Sequence, residues 1–317
     1  MPTTSPPPLV RHLARVPVPP PYVHRGVTIH SFSVPAPRER LQALCDAWFK
    51  EPTKGEVCYR PLLSQIFVLA ANIDEIQPGN PQYAGMGRTS EVDVGLWALV
   101  VRTQPFSLVP RWLPIRLLVD SADAVVVGRE VYGFQKEQGR LIVPAVAPSP
   151  GPFVVQANVT EAEGDRLAWK EMIRVEAVGE PVPAGPPDWN TLEQATEAFR
   201  EFLLARSDGA KEGIAVDATV ASLSLGLPPF AFLKQVMAAD GTDRACYQAV
   251  LEGHASLLKF RRGGFTPDQY QLQISSYYSH PFESILGIGG QTQSVGRAVW
   301  AQFDFTVNEG TVLHEHA

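Results

Sequence analysis

The sequence predicts an α+β protein dominated by β-structure, with few helices. Three observations carry this. Segments rich in β-branched and aromatic residues recur along most of the chain. Only two stretches hold a clear helical period. Asp240-Gly241, a hairpin dipeptide, joins two of the apolar segments. Strands with so few helices between them favour antiparallel sheets, because parallel neighbours need long crossovers.

Residues 1–20 are dense in proline and read as a flexible extended arm, without the continuous apolar run of a signal peptide. Val27–Val34 is the first expected strand. Pro37–Phe49 follows as a helix, with Leu41, Leu44, Cys45 and Trp48 on one side and Arg38, Glu39 and Asp46 elsewhere. Gln65–Ile73, Val92–Val101 and Pro114–Val119 are the next strands. Ser121–Tyr132 fits two readings. Val125–Val127 favours a strand, whereas Ser121 as a cap with Asp123 in the first turn favours a helix. Leu141–Val146, Phe153–Thr160 and Leu167–Val175 are strands, the last two joined by a turn near Glu163-Gly164-Asp165.

Gly179–Pro187 holds four prolines and two glycines, so it is a linker or long loop. Thr191–Leu204 is the second helix, capped by Asn190, with Glu193 at its start and Leu192, Ala195, Phe199 and Leu203 at helical spacing. Phe230–Met237 and Cys246–Phe260 flank the Asp240-Gly241 turn. Tyr270–Tyr277 and Ala298–Val307 close the strands, and 311–317 reads as a tail.

The chain has 317 residues, 45% of them hydrophobic, enough for a sizeable core in one large domain or two. Its net charge of −6 and the lack of a basic block argue against nucleic acid or an anionic membrane surface as partner. No apolar run has the length of a transmembrane helix. Cys45, Cys58 and Cys246 are far apart and odd in number, which suggests reduced thiols in a cytoplasmic protein. No G-x-S-x-G serine elbow occurs. Gly85-Met86-Gly87 lacks the frame of a dinucleotide site, and Gly287-Ile288-Gly289-Gly290 precedes a strand. His12, His24, His30, His254 and His280 show no ligand spacing, and His314 and His316 read as part of an exposed end. Neither a metal nor another cofactor is expected.

The chemistry concentrates in Leu118–Arg140. There Lys136 stands behind an apolar and aromatic approach: Val125, Val126, Val127, Val131, Tyr132 and Phe134. A protonated lysine is a poor nucleophile. Desolvation favours the neutral amine, which can attack a carbonyl. Arg129 and Glu130 lie side by side in this apolar segment and read as an ion pair that holds it, since buried charges need partners.

The pattern Gly128-Arg129-Glu130, Phe134 and Lys136 resembles the acetoacetate decarboxylase family, in which the matching lysine forms a Schiff base with a keto acid. The resemblance continues in Phe232-Leu233-Lys234, in the Asp240-Gly241 turn leading to Ala245-Cys246, and in Tyr270–Ser276 with Pro281. It implies a cone-like closed barrel around a central cavity, a helix that delivers the lysine, and a homo-oligomer. It also implies a Schiff-base-forming lyase acting on a small keto acid. The domain then spans 21–310, with an insertion at about 176–226.

His24-Arg25-Gly26 resembles the segment that supplies a substrate arginine, which implies that Arg25 holds the carboxylate. Glu91 sits where the family places its active-site glutamate. Each has a plain alternative: a surface arginine before a strand, and a solvated residue of the loop GMGRTSE.

The chain departs from the family next to the lysine. The second lysine of the family's pair is Glu137 here. It cannot supply the second cation, although in an extended segment residues 136 and 137 point to opposite faces. Three readings follow: imine chemistry of aldol or dehydration type, decarboxylation without the second lysine, or a non-catalytic small-carboxylate-binding protein that retains the fold.

Overall fold

A computed structural model describes residue 9 and residues 17–180, 182–183, 187–205, 227–296 and 298–316. The expected arm at 1–20 and the second half of the expected insertion lie largely or wholly outside the described residues.

Two sheets build the molecule. The larger holds nine strands, in the order β2 (Cys58–Pro61), β4 (Thr89–Gln104), β3 (Gln65–Pro78), β1 (Tyr22–Pro35), β14 (Val299–His316), β11 (Ala245–Phe265), β10 (Leu227–Met237), β5 (Phe106–Val119) and β6 (Lys136–Gln138). β4 also pairs with β5, so seven of these strands form a closed ring, with β2 and β6 attached outside the circuit. The second sheet runs β13 (Thr292–Gly296), β12 (Tyr270–Ile274), β9 (Ala168–Ala177), β8 (Phe153–Val159), β7 (Arg140–Ile142).

Burial on both faces explains the long apolar runs of the ring strands. On β4, Val94, Leu96, Ala98 and Val100 face the core between the sheets, where Phe153, Val155, Ile173 and Tyr270 meet them. The alternate residues Trp97, Leu99 and Val101 join a second core with Leu117, Tyr132, Phe230 and Phe232. β1 divides in the same way, with Phe32 and Val34 in the core between the sheets.

Pairing is antiparallel as expected, with two exceptions. β10 meets β5 in parallel at Phe230 and Trp112. β6 runs parallel to β5, with Leu117 opposite Lys136. The second pair needs a crossover. It is supplied by α2 (Ala122–Val127) and a π-helical turn, Gly128–Tyr132. The ambiguous segment is therefore helical. Ser121 caps it, its Oγ accepting from the Ala124 amide at 3.3 Å.

α1 (Arg38–Cys45) runs on through a π-helical turn to Lys50. α3 (Leu192–Leu204) starts one residue later than the Asn190 cap implied. Thr191 is the cap and forms a capping box with Gln194, while the Asn190 amide donates to the Gln194 side chain. A short α4 (Phe282–Leu286) has no counterpart in the sequence reading.

Two expected strands are shorter than read: Leu141–Val146 pairs only through Ile142, and Tyr270–Tyr277 ends at Ile274. The expected tail is corrected as well. Residues 311–316 continue β14 and pair with β11, His316 lying opposite Gln248. No helix among the described residues is long and apolar enough to cross a membrane.

Candidate active site

Register brings the lysine to a carboxylate. On β4 the residues Glu91, Asp93, Gly95 and Trp97 share one face, since strand side chains alternate. Gly95 pairs with Leu117 of β5, which pairs in turn with Lys136 of β6. From there Lys136 reaches back across the ring wall, and its Nζ donates to Glu91 Oε1 at 2.6 Å. Both side chains are buried, at 10% and 6% exposure. The Phe134 ring lies 5.4 Å from the same Nζ, within cation–π range.

Gly128 makes room for this lysine. A Cβ there would lie 2.7 Å from Lys136 Cδ and 3.2 Å from Cε. Tyr132 ties the π-helical turn to β14 by donating to the Asn308 carbonyl at 2.9 Å. Gly133 then ends the turn at φ +88, where a Cβ would strike the Lys234 backbone at 2.6 Å.

The lysine and glutamate line a cavity of about 440 Å³ together with Asp93, His24, Asp123 and many apolar side chains. Asp93 is pushed up to about 7, first by burial and then by the Glu91 charge, against the opposing pull of Lys136. His24 is pulled down to about 3 by burial and by the positive Lys136, so it is a neutral imidazole. Its Nδ1 donates to the Tyr22 carbonyl at 3.2 Å, and its ring stacks on Phe305 at 4.4 Å. Among the described residues, no three His, Cys, Asp or Glu side chains gather to hold a metal ion.

No protein-family model and no curated protein matches the chain. Solved structures do. Acetoacetate decarboxylase from Legionella pneumophila subsp. pneumophila str. Philadelphia 1 superposes with a TM-score of 0.59 at 12% identity, over 97% of this chain and 92% of its own. An acetoacetate decarboxylase-like enzyme from Sphingomonas wittichii RW1 gives 0.54 at 14%, over 93% and 92%. The enduracididine biosynthesis enzyme MppR complexed with pyruvate gives 0.51 at 12%, over 95% and 93%. The chain has the acetoacetate decarboxylase-like fold.

Within this fold the structure brings Lys136 and Glu91 together, and Glu91 is buried, not a solvated loop residue. It does not bring Arg25 to them. A bulge at Gly26, with φ +61, interrupts the pairing of β1 with β14 between His24 and Val27. The bulge shifts the alternation, so Tyr22, His24, Val27 and Ile29 line the cavity. Arg25 is turned outward, 54% exposed, with its Nε 3.8 Å from Glu75. The role expected for Arg25 is corrected accordingly. Arg129 and Glu130 are exposed as well, so they are not a buried pair.

Glu137 points away from Lys136, as an extended segment requires. It accepts from Arg116 Nε at 3.1 Å and again from Nη2, and its Oε1 lies 2.9 Å from His280 Nε2. Burial alone would raise the Glu137 carboxyl. The His280 hydrogen bond and the Arg116 charge outweigh it and hold the group below the usual carboxylate range.

Sequence reasoning missed Asp93 and His24. Asp93 was legible in principle, because it stands two residues from Glu91 on one strand. His24 depended on the bulge.

Proposed function

We propose that the protein is a Schiff-base-forming lyase that condenses Lys136 with the ketone carbonyl of a keto acid. The observation that carries this reading is the buried Lys136 Nζ held 2.6 Å from the Glu91 carboxylate at a cavity wall. Imine formation requires the neutral amine: the ammonium passes a proton to the neighbouring carboxylate, and the amine then adds to the carbonyl carbon. The carbinolamine then loses water, taking a proton from a carboxylic acid, and leaves a protonated imine.

The iminium is an electron sink. In the aldol or dehydration route a carboxylate removes the proton on the adjacent carbon, and the enamine formed attacks a second carbonyl or expels a leaving hydroxyl as water. In decarboxylation the electrons of the breaking C–C bond enter the iminium, CO2 departs, and the enamine carbon takes a proton. Water then hydrolyses the imine and frees Lys136.

Glu91 is the proton carrier nearest the amine. Asp93, pushed up to about 7, keeps a protonated fraction near neutral pH that is suited to donate to departing water. Glu137 in place of a second cation, committed to Arg116 and His280 on the other face, favours the aldol or dehydration route. Pyruvate in the MppR complex is the keto acid of a protein with this fold. We also take the closed ring to be the cone-like barrel that the resemblance implied, and the protein to be a cytoplasmic homo-oligomer.

Borohydride reduction in the presence of a keto acid, followed by intact mass, tests the proposal. Wild type is expected to gain the mass of a reduced adduct. Lys136→Ala and Lys136→Arg are expected to gain none, since guanidinium stays protonated. Adducts persisting in both variants would overturn it.

A further inference from the structure

The cavity is larger and more apolar than a three-carbon acid fills. Its volume of about 440 Å³ falls among pockets that enclose drug-sized ligands. Val27 and Ile29 of β1, Phe303 and Phe305 of β14, and Leu192 and Phe199 of α3 all line it. The α3 residues come from the segment read as an insertion, so that segment builds part of the apolar wall.

The charges point the same way. Among the described residues Lys136 is the only lysine or arginine of the lining, and Glu91 engages it. Glu91, Asp93 and Asp123 are three carboxyl groups against that one cation. With Arg25 outside, the described residues of the lining offer no guanidinium for bidentate capture of a carboxylate. Recognition must therefore rest on the rest of the substrate.

We infer that the substrate condensing with Lys136 carries an extended apolar body, a medium-chain alkyl or an aryl group, and that the cavity selects this body and not the carboxylate. The inference rests on the Schiff-base reading for its carbonyl and on the cavity for its chain. Burying each added methylene strengthens binding about fourfold.

The test is borohydride trapping of wild type with pyruvate, 2-oxobutanoate, 2-oxoheptanoate and phenylpyruvate, read by intact mass across concentration. The half-saturating concentration is expected to fall about 200-fold from pyruvate to 2-oxoheptanoate, over a chain longer by four methylenes. Phenylpyruvate is expected to lie with the longer acid. Equal or tighter labelling by pyruvate overturns the inference.

A parallel titration separates this failure from that of the imine. Trp97 and Trp112 line the cavity, so quenching of tryptophan fluorescence in Lys136→Ala reports binding without covalent chemistry. If no acid labels wild type, the Schiff-base reading falls. Quenching that tightens with chain length then still supports the apolar site, and quenching without chain dependence overturns it.

Discussion

Gly128→Ala is expected to separate the alignment of the lysine from the stability of the fold. The backbone at Gly128 has φ −62 and ψ −42, which alanine adopts freely. On backbone grounds alanine would gain about 0.5–1 kcal/mol over glycine in a helical turn. Space opposes it. The new Cβ would stand 2.7 Å from Lys136 Cδ, whereas carbon atoms settle at about 3.5–4 Å, so the stem must move by roughly 1 Å.

Lys136 cannot yield freely, because its Nζ is held by Glu91 at 2.6 Å. A misplacement of about 1 Å costs on the order of 100-fold in rate. Overpacking costs about 1–3 kcal/mol, partly offset by the backbone gain, for a net destabilisation of about 0–2.5 kcal/mol. The assay is the rate of borohydride trapping beside a thermal melt. Slow trapping in a cooperatively folded variant is expected. An unchanged trapping rate would refute the reasoning, and so would a variant that fails to fold, since Gly128 would then serve the fold and not the lysine.

Glu91→Gln keeps the shape and removes the proton acceptor. Steady-state kinetics are expected to show turnover reduced about 100-fold or more with KM little changed, whereas a rise in KM alone would make Glu91 a binding residue. Asp93 has a folded pKa of about 7 against 3.8 unfolded, so its contribution is most favourable below pH 4 and is lost as pH rises through 7. Asp93→Asn should therefore gain more stability relative to wild type at pH 8 than at pH 4.5. Urea unfolding at both values measures this, and a larger relative gain at pH 4.5 would contradict it. Glu137 is depressed, so its contribution is present above the unfolded value of 4.5 and lost as pH falls through the lower folded value. Glu137→Gln should cost about 1 kcal/mol at pH 7 and leave the pH profile of imine trapping unmoved. A shifted profile would place the carboxylate within reach of Lys136.

Strand identity was legible because burial on two faces gives ring strands such as Leu96–Val101 continuous apolar runs. The lysine was legible because Gly128, Phe134 and Lys136 lie close in sequence and are held together by one crossover. Ring closure was not. It depends on β4 pairing with β5 and on a parallel contact of β10 with β5, and pairings between distant segments leave no local period. The three residues of β6 were too few to show a strand. Arg25 was misplaced because a single bulge at Gly26 reverses which side chain faces inward, and a resemblance in residue type carries no register. The cap of α3 was misread by one residue because Asn190 and Thr191 are both good caps, and Gln194 decides for Thr191.

A rival lysine makes the most direct measurement a mapping one. Burial pulls the Lys234 amine below the usual lysine range. Yet its Nζ donates to the Val131 carbonyl at 3.3 Å, and the residue is not part of the cavity lining. Wild type reduced with borohydride in the presence of 2-oxoheptanoate is digested, and the modified peptide is sequenced by mass. The adduct is expected on Lys136 alone and should survive in Lys234→Ala. An adduct on Lys234, or on any lysine other than Lys136, would contradict the Schiff-base assignment.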